Sequence, residues 1–188
     1  MDKEQKRKKI IKAAASIFAR DGIEKARIED IAREAGIGKG TVYLYFRSKD
    51  AIFEEGIKYF ANVRINKLRN ILNKYNSAIK KLYILLNLST KISEENPDMF
   101  FMNYAALLST HQNFQKKAVY EFFIQYIDFV QEILEEGIIE GVFREINTKV
   151  AALSIILTQD LSSLIDLQGK YKLKNELVAK ELIRLIKR

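Results

Sequence analysis

A chain of 188 residues that contains one proline, Pro97, and eight glycines offers few places where a helix must stop. Proline removes a backbone donor and clashes with the preceding turn, while glycine raises the entropic cost of ordering, so their scarcity permits long helices. The apolar residues agree with this. They recur at spacings of three and four almost throughout, and no sustained alternation marks a strand. The pattern predicts an all-α fold of about nine helices.

Stop and start signals place the elements. The first helix is expected from Lys3 to Arg20, halted by Asp21-Gly22, and the second from Ile28 to Glu34, ended by Gly36. A third starts near Lys39 and runs out by Arg47. Ser48 caps a fourth that reaches about Leu72. Later helices are expected over Ser77 to Ser93, Pro97 to Ser109, Phe114 to Glu136, Asn147 or Thr148 to Gln168, and Leu173 to Ile186. Two regions follow: residues 1–47, three short helices with tight turns, and residues 48–188, long amphipathic helices rich in aromatics. No flexible linker separates them, so helix four is expected to join them rigidly.

Composition removes several classes. There is no cysteine, hence no disulfide framework, thiolate metal site or cysteine nucleophile. No apolar run is long enough to span a membrane, and the basic N-terminus lacks the apolar core of a cleaved leader. A soluble cytoplasmic protein without membrane partners is expected. The formal charge of +8 is unevenly spread: residues 1–50 hold 13 Lys/Arg against 8 Asp/Glu, a net of +5 in about a quarter of the chain. A basic end attracts polyanions, nucleic acid first among them.

The stretch Gly36-Ile37-Gly38-Lys39-Gly40-Thr41 admits two chemistries. Glycine amides and a lysine can cradle a nucleotide phosphate, which would make this a P-loop-like nucleotide-binding enzyme. That loop needs a glycine five residues before Gly38 and a strand leading into it. Position 33 is Arg33, and Ile28 to Ala35 has helical periodicity. The second chemistry is a helix-turn-helix. Ile28, Ile31, Ala32 and Ala35 would dock the first helix, Val42 and Phe46 the second. Lys39, Gly40, Thr41, Tyr43 and Tyr45 then face outward from the end that reads base edges in this motif. A helical interaction protein without DNA binding fits the same spacing.

The segment GIEKARIEDIAREAGIGKGTVYLYFRSKDAIF, residues 22–53, resembles the DNA-binding signature of the tetracycline-repressor (TetR) family. Matching positions are Gly22, Asp30-Ile31-Ala32, Ala35-Gly36, Gly40-Thr41, Tyr43, Tyr45-Phe46, Ser48-Lys49 and Phe53. The resemblance implies a ligand-responsive transcriptional regulator, most often a repressor, with residues 1–47 binding DNA and 48–188 binding effector and dimerising. Lys39, Gly40, Thr41 and Tyr45 would face bases, while Arg27, Tyr43 and Lys49 would meet phosphates. Two departures stand out. Ala26 and Arg27 replace the usual Thr or Ser, removing a side-chain cap, and Gly38 replaces a side chain that contacts DNA.

For the larger region the resemblance implies a homodimer on a palindromic operator and a small-molecule effector. Leu153, Leu157, Leu161 and Leu164, then Leu177, Leu182 and Leu185, offer a wide apolar face for a twofold mate. Phe60, Phe101, Tyr104, Phe123 and Tyr126 are candidate walls of a pocket for an apolar or amphipathic effector. His111 is the only histidine, and no nucleophile–base pattern appears. No catalytic residue, cofactor or metal site is expected.

Overall fold

The computed structural model describes residues 2–95, 117–167 and 174–188. Among these residues it contains eight α-helices and no strand: α1 Lys3–Lys25, α2 Ile28–Glu34, α3 Lys39–Tyr45, α4 Lys49–Leu72, α5 Ala78–Glu95, α6 Lys117–Ile139, α7 Thr148–Leu167 and α8 Asn175–Ile186. The helix expected from Pro97 to Ser109 lies outside the described residues, as do Phe101, Tyr104 and His111. The all-α architecture is as expected.

Two compact units divide the chain within α4, between Val63 and Arg64, at the end of α5, between Glu95 and Asn96, and within α6, between Phe122 and Phe123. The expected division at residues 47 and 48 falls between α3 and α4. In the first unit, α2 packs against both α1 and α3. Ile10, Ala14, Ile17 and Phe18 of α1 are buried, along with Ile31 and Ala32 of α2 and Val42 of α3. Ile52, Phe53 and Ile57 of α4 are also buried, and the Phe53 ring meets Phe18 edge-on at 5.3 Å between centroids. Burial of each large aliphatic side chain contributes about 1.5–3 kcal/mol, so this small core can hold the two seven-residue helices α2 and α3, which would be marginal alone.

Several ends follow from local chemistry. Asp2 and Gln5 form a reciprocal capping box at the start of α1. Gly22 takes a left-handed φ of 77° and breaks the helical dihedrals, as its sequence signal predicts, although one further turn carries α1 to Lys25. Ser48 Oγ accepts from the Ala51 amide at 3.1 Å, and Asn147 Oδ1 from the Val150 amide at 3.0 Å. The third helix stops at Tyr45, two residues before the expected end, where Phe46 turns extended and buries its ring.

In the second unit, α5 packs against α7 and α8, which also pack together. Leu82, Leu85 and Leu86 of α5 are buried, with Val130 and Leu134 of α6, Ala152 and Ile156 of α7, and Ala179 of α8. The chain after α6 reverses at Gly141 and runs back beside the end of α8. There Phe143 bridges Lys187, and the Arg144 amide donates to the Ile186 carbonyl at 3.0 Å. Gly137 makes this return possible, because a Cβ at that position would fall 2.0 Å from the buried Phe143 ring.

Gly137→Ala is therefore expected to destabilise the chain by about 1–3 kcal/mol, despite the better helix propensity of alanine. Thermal denaturation reads this as a midpoint lowered by several degrees; an unchanged or raised midpoint would show that the ring has room to move.

Candidate nucleic-acid interface

The turn between α2 and α3 sets the site. Gly36 has φ 59°, a left-handed conformation that side-chain-bearing residues rarely adopt. Its amide donates to the Arg33 carbonyl at 3.0 Å, and the Ile37 amide to Ala32 at 3.0 Å. This paired arrangement is a Schellman closure, which satisfies carbonyls that the end of α2 leaves open. Residues 28–34, where a nucleotide loop would require a strand, form helix α2. Ala35 is buried and Gly38 begins α3 in extended conformation, with its carbonyl accepting from the Thr41 amide at 2.9 Å.

With Val42 and Phe46 buried, the other face of α3 is left outward. Lys39 and Gly40 are exposed, Tyr43 is 49% exposed and Leu44 81%, while Thr41 and Tyr45 are half-buried. Nothing in the chain lies within 4 Å of where a Cβ at Gly40 would stand. Glycine is thus not required there by internal packing. Arg27 is exposed at the start of α2 and makes no side-chain cap, as its replacement of Thr or Ser implies.

Lys39 is not idle. Its Nζ pairs with Glu29 Oε1 of α2, and the same ammonium lies 5.9 Å from the Tyr43 ring centroid. Hydrogen bonding to Lys39 lowers the Glu29 carboxyl below its ordinary pKa, and hydrogen bonding to Glu29 raises the Lys39 ammonium above its own. For a carboxyl with a lowered folded pKa, the pairing is present above the unfolded value of about 4 and is lost as pH falls through the lowered one. For an ammonium with a raised folded pKa, it persists until pH rises through that raised value. Both groups therefore stay charged and paired at neutral pH.

Lys49, expected at a phosphate, directs its Nζ to the Glu24 carbonyl at 2.7 Å and the Ala26 carbonyl at 3.4 Å. It caps the end of α1, where a cation is favoured, and one of its three N–H donors remains. The sequence reading overlooked Arg7. Its guanidinium forms a two-pronged pair with Glu55 of α4, lies 4.7 Å over the Phe46 ring, and donates to the Tyr45 carbonyl at 3.4 Å. One side chain of α1 thus ties down the end of α3 and the first half of α4. Arg7 and Glu55 are 48 residues apart, so no local spacing signals them. Leu44 was also overlooked, though its place between two tyrosines on a short helix marked it as a surface position.

The candidate effector residues divide between the units. Phe60 is half-buried in the first, with its ring 5.2 Å from that of Tyr59. In the second unit Phe123 is half-buried, whereas Tyr126 lies in a buried polar cluster. The Tyr126 hydroxyl is 2.7 Å from Ser89 Oγ and accepts from Arg64 Nη2 at 3.3 Å. Arg64 stacks 4.6 Å over the Tyr126 ring and approaches Asp160 at 3.9 Å. Of the apolar face, Leu153, Leu157 and Leu161 on α7 and Leu177 and Leu185 on α8 are exposed, and Leu182 is half-buried. The Leu164 side chain lies outside the described residues. A cavity of about 480 Å³ runs between these helices, walled by Leu161, Leu177, Val178, Leu182 and Leu185. Among the described residues no cluster of three metal-ligating side chains occurs, and no helix is long and apolar enough to cross a membrane.

Residues 10–55 match the model of the bacterial regulatory proteins of the tetR family. The match covers about a quarter of the chain, so it is this N-terminal region that is of the tetR type. An HTH-type transcriptional regulator of Bacillus subtilis, YvdT, is 26% identical over 185 residues, covering 97% of this chain and 94% of the relative. The fatty acid degradation regulator FadR from Bacillus halodurans has a similar structure, with a TM-score of 0.85 and 25% identity, covering 98% of this chain and 96% of that one. FadR from Bacillus subtilis, solved in complex with stearoyl-CoA, shares the fold at a TM-score of 0.83 and 22% identity, covering 95% and 96%. All three of these proteins are described as regulators.

Arg7→Met should loosen the recognition region, because it removes the pair to Glu55 and the donor to Tyr45 while keeping an apolar stem over Phe46. A loss of about 1 kcal/mol is expected, discounted for the partial exposure of both groups. Glu55→Gln should cost much less in the Arg7→Met background than in the wild type; equal losses in both would show that the two side chains act independently.

Proposed function

We propose that this chain is a ligand-responsive repressor of the tetR type that binds a palindromic operator as a homodimer in the cytoplasm. Residues 1–47 bind DNA, and residues 48–188 bind the effector and dimerise. The observation that carries the reading is the α2–turn–α3 geometry, which buries Val42 and Phe46 and leaves Lys39, Gly40 and Tyr43 outward. Helix α3 enters the major groove, with Lys39, Gly40, Thr41 and Tyr45 toward base edges. Arg27, Tyr43 and the remaining donor of Lys49 meet phosphates, which position the protein without reading sequence.

Dimerisation is supported by the exposed leucines of α7 and α8 and the apolar cavity between them. A twofold mate would bury them and supply the second recognition helix. An effector with a long apolar chain and a polar head is supported by the stearoyl-CoA bound to a neighbour of the same fold. Such a ligand releases DNA only if it binds the DNA-free state more tightly than the DNA-bound state. Helix α4, continuous from Lys49 to Leu72, contributes to both units and is the element through which that difference is relayed.

The test is fluorescence anisotropy on a duplex enriched from a random pool by the chain itself. Affinity is expected to fall steeply with salt, and micromolar stearoyl-CoA should weaken binding measurably. An affinity indifferent to salt would contradict the groove-binding reading; an affinity indifferent to stearoyl-CoA would contradict this effector class alone. Gly40→Ala separates interface from fold. Stability should hold or rise by about 0.5–1 kcal/mol, since nothing crowds that position, while DNA affinity drops. A loss of both would place the role of Gly40 inside the fold.

A further inference from the structure

Glu29 has no purpose in the reading given so far. A carboxylate on the face offered to DNA repels phosphate, and an exposed ion pair adds little to folding. Yet Glu29, in the first turn of α2, reaches across to the first residue of α3 and holds the Lys39 ammonium. The neighbouring pair, Asp30 with Arg33, stays within α2. Among the described residues, only the Glu29 pair joins the two helices of the motif through a side chain proposed to read bases.

A lysine ammonium is a mobile point charge on a long stem with three donors. Left loose at a groove, it takes any phosphate within reach, which strengthens binding to every sequence alike. Tethered by one donor to Glu29, it keeps two for acceptors lying ahead of it. Guanine presents two, O6 and N7, on its major-groove edge.

Resting on the DNA-binding reading above, we propose that Glu29 is a positioning residue that sets sequence specificity. It holds Lys39 against the α2–α3 scaffold, aims it at a guanine edge, and keeps it from the flanking phosphates. The pair persists in the complex, so the tether is not lost on binding. The carboxylate lowers affinity for DNA in general and raises discrimination.

The experiment measures affinity for two duplexes of equal length and composition: one enriched by the wild-type chain from a random pool, the other its shuffled sequence. Glu29→Gln is expected to bind the shuffled duplex about two- to five-fold more tightly, the scale of one released surface ion pair. Its salt dependence on that duplex should steepen by about one phosphate contact. Affinity for the enriched duplex should stay level or fall, so the ratio of the two affinities drops. In a Lys39→Gln background, adding Glu29→Gln should leave the ratio where Lys39→Gln alone put it. Thermal midpoints of the single variants should match the wild type within a degree or two, excluding a folding effect. A ratio unchanged by Glu29→Gln, or one that falls equally without Lys39, overturns the proposal while leaving DNA binding intact. A wild-type chain that binds neither duplex overturns the proposal and the reading beneath it together.

Discussion

The closure of α2 at Gly36 is the constraint on which the recognition region depends. Its left-handed backbone lets the Ile37 and Gly36 amides satisfy the last carbonyls of α2 and turns the chain sharply enough for α3 to start three residues later. Buried Ile31, Ala32 and Ala35 on one side of the turn then meet buried Val42 on the other. Because α3 has seven residues, it cannot stand alone. Its outward face is a by-product of how its inward face is docked. A Cβ at position 36 would strain the turn and re-aim every side chain proposed to meet DNA.

Polar ties then connect this small core to α4. Lys49 closes the end of α1, and Arg7 reaches from α1 to Glu55 and to the last carbonyl of α3. These contacts decide where α3 ends and how α4 leaves it. The second unit follows another rule. It buries its aliphatic residues in an ordinary helical core but leaves leucines of α7 and α8 exposed around an apolar cavity. Apolar surface of that kind marks a contact site more often than a finished exterior.

Much of this was legible in the residues, and the reason is locality. Helix α2 has the expected ends because capping loss at Arg27 and the glycine at 36 are read within a few positions. Ser48 and Asn147 cap as their types predict. Gly22 does break the helix, but one more turn beyond it satisfies the Ala26 amide through the Gly22 carbonyl, so α1 is longer than its stop signal suggests. What stayed hidden are pairings between distant positions. Arg7 with Glu55, Lys39 with Glu29, and Lys49 with two carbonyls of α1 depend on how helices dock. Lys49 and Lys39 were recognised as important cations, but their partners in the folded chain are protein groups. The aromatics show the opposite limit. Helical spacing marks Tyr126 as inward-facing but does not tell a ligand wall from a polar core, and its hydroxyl sits between Ser89 and Arg64.

Hydroxyl-radical footprinting on an enriched duplex tests the central claim most directly, because it reports both the groove and the symmetry. Two recognition helices related by a twofold axis predict two protected patches on one face of the duplex, about one helical turn or a multiple of it apart. A single protected patch would contradict the dimeric arrangement, and the absence of protection would contradict DNA recognition by α3 altogether.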